Sequence, residues 1–375
     1  MDRAGIRLGR FLGAPVLLSG TWFVLALVVL VSLGPSLQVR LGLGVGPAYG
    51  VALLYAVLLL LSVLAHELAH AATARAMGQQ VHEIVVHLMG GHTEFSTDLG
   101  RPGRRALVAA AGPLANAAIA VAASAVAPSV GDPVVGTLVD LLAYGNAALA
   151  VLNLLPGLPL DGGAVVESFV WGVTRRRSLG TVVAGWGGRV VAVGFVLVVL
   201  VLPLVRGSRP GIFSAVWSLL IAASLWQGAT AAIQVGRLRG RAGSLRLSDH
   251  VEPAVGVPAA TDAWATVPLD PPHHVVVLDP GGAPVGLVDA ARLRTLHAPG
   301  GPPAGTPATA VMTVLQPAIT MPATAAGDVV LETLAGSPAA VYVVTGPDGR
   351  VVGVASGDRL AGALTGASGR TAGTP

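Results

Sequence analysis

Cysteine is absent from the 375 residues, which excludes a disulfide framework and a thiolate metal site. Lysine is absent too: all 23 basic residues are arginine, and beside 50 glycines this reads as G+C-rich coding bias. The pI of about 10.3 is therefore no sign of nucleic-acid binding, and no nucleic-acid partner is expected. Charge is scarce at 11% and aromatics at 4%, while 53% of the chain is hydrophobic and mean hydropathy is +0.73. No single soluble domain has that balance, so the sequence predicts a polytopic α-helical membrane protein with something attached.

A window of ~20 residues gives about six spans, near 15–33, 50–77, 106–127, 134–156, 181–205 and 211–235. The arginines set their orientation. Arg3, Arg7 and Arg10, then Arg101, Arg104 and Arg105, then Arg175, Arg176 and Arg177, then Arg237, Arg239, Arg241 and Arg246 fall in one set of loops, against Arg40, Arg206 and Arg209 in the other. The positive-inside rule then puts a multi-pass protein in the cytoplasmic membrane, with the lipid bilayer around it and both termini in the cytoplasm. The first apolar run is read as a span and not as a cleaved leader.

Within the second span stands His66-Glu67-Leu68-Ala69-His70. Ionisable side chains at membrane depth are costly and mark functional sites. Positions i and i+4 share one helix face, so both imidazoles can meet one metal ion with Glu67 close beside them. This is the His-Glu-x-x-His spacing of zinc hydrolases, with the glutamate taking a proton from metal-bound water. Such a site needs a third protein ligand. His66 lies about 16 Å inside the helix end near Met77, at ~1.5 Å per residue. At similar depth, Asn153-Leu154-Leu155-Pro156-Gly157-Leu158-Pro159-Leu160-Asp161-Gly162-Gly163 breaks a span and carries one carboxylate. A broken helix within a membrane is tolerated where it is shielded by protein or lines a wet cavity. Asp161 is the expected third ligand and Glu167 the fallback.

The two motifs together resemble the site-2 protease family of intramembrane zinc metalloproteases. The resemblance implies one Zn²⁺ per chain held by His66, His70 and Asp161, with Glu67 catalytic and Asn153 in contact with substrate or transition state. Gly90-Gly91 and Ala111-Gly112-Pro113-Leu114-Ala115-Asn116 also resemble family features, and equally suit packing and turns.

Between the second and third spans, Gln79 to Phe95 alternates loosely as strands do, as in Val81 to Met89, and an exposed strand edge there can receive an unwound substrate by strand addition. His82, His87 and His92 are spaced for neither one helix face nor one strand face and are read as surface residues. After Leu247 two similar units appear, Val275–Leu278 with Gly286–Val288 and Arg292-Leu293, then Val341–Val344 with Gly353–Ala355 and Arg359-Leu360. Each reads as strand, turn, strand and helix start, and twin units of this kind are expected to pair. They resemble a tandem pair of CBS domains, with Val311-Met312-Thr313 as the lead-in to the second. The organisation expected is a membrane metalloprotease domain over 1–246, a cytoplasmic α/β CBS pair over 247–364 and a disordered tail over 365–375. A CBS pair implies adenine nucleotide as ligand and a homodimer as assembly. Arg292 and Arg359 stand where the ribose-binding aspartate of such domains is found, with Asp358 one place earlier and Ala291 its counterpart, which argues against the nucleotide.

The function expected is intramembrane endopeptidase, cutting a single-span membrane-protein substrate in regulated intramembrane proteolysis with the CBS pair as regulatory module. The rivals are a CBS-gated transporter and an inert scaffold. A transporter calls for matching interrupted spans in its two halves, and here the breaks cluster at Asn153–Gly163. A scaffold has no need to keep Glu67 in lipid.

Overall fold

The computed structural model describes residues 5–87, 90–95, 100–208, 211–263, 274–289, 292 and 303–366, without the side chains of 87, 90–95 and 213. Met89, Arg209, Ala291, Leu293 and the tail from 367 onward lie outside the described residues. The chain divides into two compact units, Met1–Gly236 and Arg237–Pro375.

The first unit opens with a hairpin, β1 (Gly5–Phe11) and β2 (Ala14–Ser19), and continues through the helices α1 (Thr21–Leu41) and α2 (Val45–Ala76). Strands β3 (Val81–His87) and β4 (Gly90–Phe95) follow. Then come α3 (Pro102–Val126), α4 (Pro133–Asn153), α5 (Asp161–Thr174), α6 (Arg177–Val205, π-helical over Leu197–Val201) and α7 (Ile212–Ala242). Six of these helices are long and apolar enough to cross a membrane. At 1.5 Å per residue α2, with 32 residues, runs to about 48 Å, well beyond a hydrocarbon core of ~30 Å.

The first span begins at Thr21 and not near residue 15. Ala14, Val16 and Leu18 are buried at every second position, so this apolar stretch follows the period of a strand. The sheet runs β1-β2-β3-β4, with β2 and β3 parallel and the outer pairs antiparallel. Ala14, Val16, Val81 and Ile84 pack with Ala71 of α2, which anchors the sheet to the helix that carries the histidines. Asp132 caps α4, its Oδ1 accepting from the amides of Val134 and Val135 at 2.9 Å, with Pro133 at the first helical position.

The second unit is a seven-stranded sheet in the order β8-β7-β6-β5-β11-β10-β9. In one half β5 (Val251–Pro258) pairs parallel with β6 (His274–Leu278), which pairs antiparallel with β7 (Pro284–Val288). In the other, β9 (Ile319–Pro322) pairs parallel with β10 (Val341–Thr345), which pairs antiparallel with β11 (Val351–Ser356). Strand β8 (Thr313–Val314) edges the first half, while α8 (Gly327–Gly336) and α9 (Gly357–Thr365) complete the second. The halves join through β11 and β5, antiparallel. This is the α/β pair expected from the repeats at Val275 and Val341; Val275, Val276, Val277, Val343 and Val344 are fully buried in the sheet.

Candidate metal centre

His66, Glu67 and His70 are buried in α2, and their ligand-capable atoms lie within 4.8 Å of one another. Asp161, the first residue of α5, brings Oδ2 to 3.1 Å from His66 Nε2 and 3.4 Å from His70 Nε2. The two Nε2 atoms are 3.0 Å apart.

Hydrogen bonds on the far side of each ring fix what those atoms carry. His70 Nδ1 stands 2.7 Å from the carbonyl oxygen of Val108, a group that only accepts, so Nδ1 holds the proton. His66 Nδ1 lies 2.6 Å from Asn116 Oδ1. Asn116 is oriented by its own Nδ2, which donates to Asn146 Oδ1 at 2.8 Å and to the Ser62 carbonyl at 3.4 Å. Asn146 in turn donates to Ser62 Oγ and the Leu142 carbonyl, both at 2.9 Å. This network assigns the amide orientations and puts the proton of His66 on Nδ1 as well. Two imidazole lone pairs and a carboxylate oxygen therefore converge on one point with no proton between them, a donor set that fits a divalent cation of the borderline type and suits zinc. The supporting hydrogen bonds are those that orient metal-binding imidazoles in general.

Helix α3 comes close enough to matter. A Cβ on Gly112 would overlap His70 Nε2 and stand 2.6 Å from His66 Nε2, so glycine keeps the convergence point open. Gly112 and Asn116, four residues apart, present one face of α3 to the histidines. Spacing along the chain does not separate packing from function for this pair.

The turn from Leu154 to Leu160 places Asp161. Leu158 donates to the Ala184 carbonyl at 2.9 Å. The backbones of Gly187 and Gly188 lie flat against the carbonyls of Pro156 and Leu158, where any side chain would collide. Pro159, after a cis peptide bond, rests on Gly228 of α7. The loop is thus moulded between α6 and α7, as a helix break in a membrane requires. Asn153 ends α4 and lines the same cavity of about 990 Å³ as His66, Glu67, His70 and Asp161.

Glu167, the fallback ligand, is elsewhere. It is 1% exposed, with Oε2 taking Arg105 Nη2 at 2.7 Å and Nε at 3.2 Å. Oε1 takes the Thr181 hydroxyl at 2.8 Å and Arg177 Nε at 3.4 Å. Both oxygens are committed to α3 and α6, and neither is left for a metal. His82 is exposed, in keeping with a surface residue. In the second unit Arg359 pairs with Glu252, which also meets His274 Nε2 at 2.7 Å.

Comparison with known proteins bears on the first unit. Residues 54–135 and 132–201 match the model of peptidase family M50. Over these residues the chain is similar to this family, that of the site-2 proteases. A candidate zinc metalloprotease of Synechocystis sp. is 31% identical over 254 residues, covering 66% of this chain and 65% of that protein. The chain thus spans just under two thirds of that relative's length. Among solved structures, the site-2 protease of Methanocaldococcus jannaschii aligns at 23% identity and TM-score 0.45, over 61% of this chain and 95% of that one. The CBS domain of a bacterial CNNM/CorC-family Mg²⁺ transporter aligns at 14% identity and TM-score 0.24, over 36% and 88%. The M50 match contains both His66–His70 and Asp161, the residues that meet in the structure.

Proposed function

We propose that this chain is an intramembrane zinc endopeptidase that cuts a peptide bond within the membrane segment of a single-span protein. The observation that carries the reading is the convergence of His66, His70 and Asp161 beside buried Glu67, in a cavity within the membrane unit. In this reading His66, His70 and Asp161 would hold Zn²⁺, which would supply Lewis acidity at the scissile bond. Glu67 accepts the proton of the attacking water and delivers it to the departing amine nitrogen. Asn153, on the cavity wall, hydrogen-bonds the substrate near the scissile carbonyl. The apolar walls exclude bulk water, which strengthens each of these polar contacts. The free edges of the four-stranded sheet offer a strand-pairing surface to a segment that has left its helical state.

The remaining parts of the reading are regulatory. The protein sits in the cytoplasmic membrane with both termini inside, cleavage releases a cytoplasmic domain of the substrate, and the paired α/β unit acts as a CBS-type control module that also dimerises. Adenine nucleotide is the disfavoured ligand for that module, because Glu252 already occupies the Arg359 side chain.

Metal analysis of the purified full chain tests the assignment. One zinc per chain is expected in the native protein and in Glu67→Gln, and a large loss in Asp161→Ala. Full zinc content in Asp161→Ala would remove that residue from the ligand set.

A further inference from the structure

Most buried polar side chains of the membrane unit make a hydrogen bond, with Ser218 of α7, Gln79 Oε1 and Arg189 Nε as exceptions among the described residues. Ser62, Asn116, Asn146, Thr137, Ser168 and Thr181 are buried, and each makes a hydrogen bond. Helix α7 departs from this. Ser224 and Gln227 lie three residues apart on one of its faces, and both line the cavity that contains His66, Glu67, His70 and Asp161. Neither makes a hydrogen bond to another described residue, and not even the usual return bond from the Ser224 hydroxyl to its own helix is formed. Asn153, which lines the same cavity, likewise makes no hydrogen bond to another described residue.

Position along the helix makes this specific. Gly228, the neighbour of Gln227, packs on the ring of Pro159, two residues before Asp161. Gln227 is therefore level with the turn that delivers the carboxylate to the metal centre, and Ser224 is one helical turn, about 5 Å, further along. Gln227 is exposed and Ser224 half-buried, so their donors and acceptors are open toward the cavity. A ligand that brings its own unpaired donors and acceptors can meet them. An extended peptide backbone is such a ligand. A membrane helix must lose its internal hydrogen bonds before its peptide bonds can be cut, and in an apolar cavity the released N–H and C=O groups require partners.

We infer that Gln227 and Ser224 form a ledge that binds the unwound backbone of the segment to be cleaved, in the cavity that Asn153 also lines. Gln227 donates through its Nε2 to one substrate carbonyl and accepts through Oε1 from one N–H, as a neighbouring strand would, and the Ser224 hydroxyl takes the next backbone group along. The ligand class is an extended stretch of an otherwise apolar transmembrane peptide, recognised through its main chain. Side-chain selectivity at this ledge is accordingly low, and ease of unwinding decides which segments bind. This rests on the protease reading above.

The test measures binding as well as cutting. The probe is a synthetic single-span Leu/Ala peptide of about 20 apolar residues with a central Asn-Gly pair to loosen the helix. Its affinity is measured in bicelles for the full chain carrying Glu67→Gln, which keeps the peptide intact. Adding Gln227→Leu is expected to weaken binding about tenfold with zinc content unchanged. Replacing single peptide bonds near the Asn-Gly pair by esters removes one N–H at a time. At one position the ester is expected to cost the Gln227 protein about tenfold and the Gln227→Leu protein nothing further. Equal affinity with and without Gln227, or ester penalties identical in the two, overturns the ledge. If native enzyme fails to cut a peptide that Glu67→Gln binds in a Gln227-dependent way, the protease reading falls and the ledge stands. If cutting proceeds and Gln227→Leu leaves kcat/KM unchanged, the ledge falls alone. A peptide neither bound nor cut overturns both.

Discussion

At the scale of single residues, the two histidines differ in what holds them. His70 is fixed by a backbone carbonyl of α3, which no side-chain substitution removes. His66 depends on Asn116, which depends on Asn146 and Ser62, a relay through α3, α4 and back to α2. The most sensitive position near the pair carries no functional group. Gly112→Ala places a methyl where the two Nε2 atoms converge, so zinc content is expected to fall by tenfold or more while the helices persist, as read by metal analysis beside circular dichroism. Retention of a full equivalent of zinc would mean that α3 yields at little cost. The pairing of His66 with His70 was legible because an i, i+4 spacing is local. Asn116 and Asn146 were not legible as supports, because their meeting with Ser62 depends on how three helices pack, and spacing along a chain carries none of that.

At the scale of elements, the site depends on α5 being held in register with α3 and α6. Glu167 does this through Arg105 and Arg177. It reads in the sequence as one more carboxylate near the second motif, and only the fold separates it from Asp161. Six residues put it about 9 Å further along α5, on the side that meets arginines. Glu167→Ala leaves Arg105 and Arg177 without their counter-charge, and a broken buried pair costs about 3–5 kcal/mol. A clear drop in the thermal unfolding midpoint in detergent is the expected outcome, with the zinc of the surviving folded fraction intact. The β1–β2 hairpin was the other element hidden from sequence. Its apolar residues ran on into the first span, and a hydropathy window does not register the two-residue period of Ala14, Val16 and Leu18. The helices themselves, and the twin strand units of the second domain, were legible because length, apolar content and repetition are properties of the chain alone.

At the scale of the whole molecule, the arginine bias predicts the orientation of every loop. The absence of cysteine makes this simple to check, since any introduced thiol is the sole one. A cysteine at Gly131, between α3 and α4, is expected to react with a membrane-impermeant maleimide on intact cells, and one at Gly103, in the first turn of α3, only after permeabilisation. The reverse pattern would invert the protein and move the metal centre to the opposite half of the bilayer.

The central claim, that this chain cuts membrane segments, is tested most directly by comparing truncated single-span proteins in membranes from cells carrying the native chain and cells carrying Glu67→Gln, using mass spectrometry of fragment ends. A positioned general base contributes about 10²–10⁴ in rate, so fragments ending within a predicted span are expected with the native chain and absent with the variant. An identical fragment pattern in both, under conditions where the native protein holds its zinc, would contradict the account.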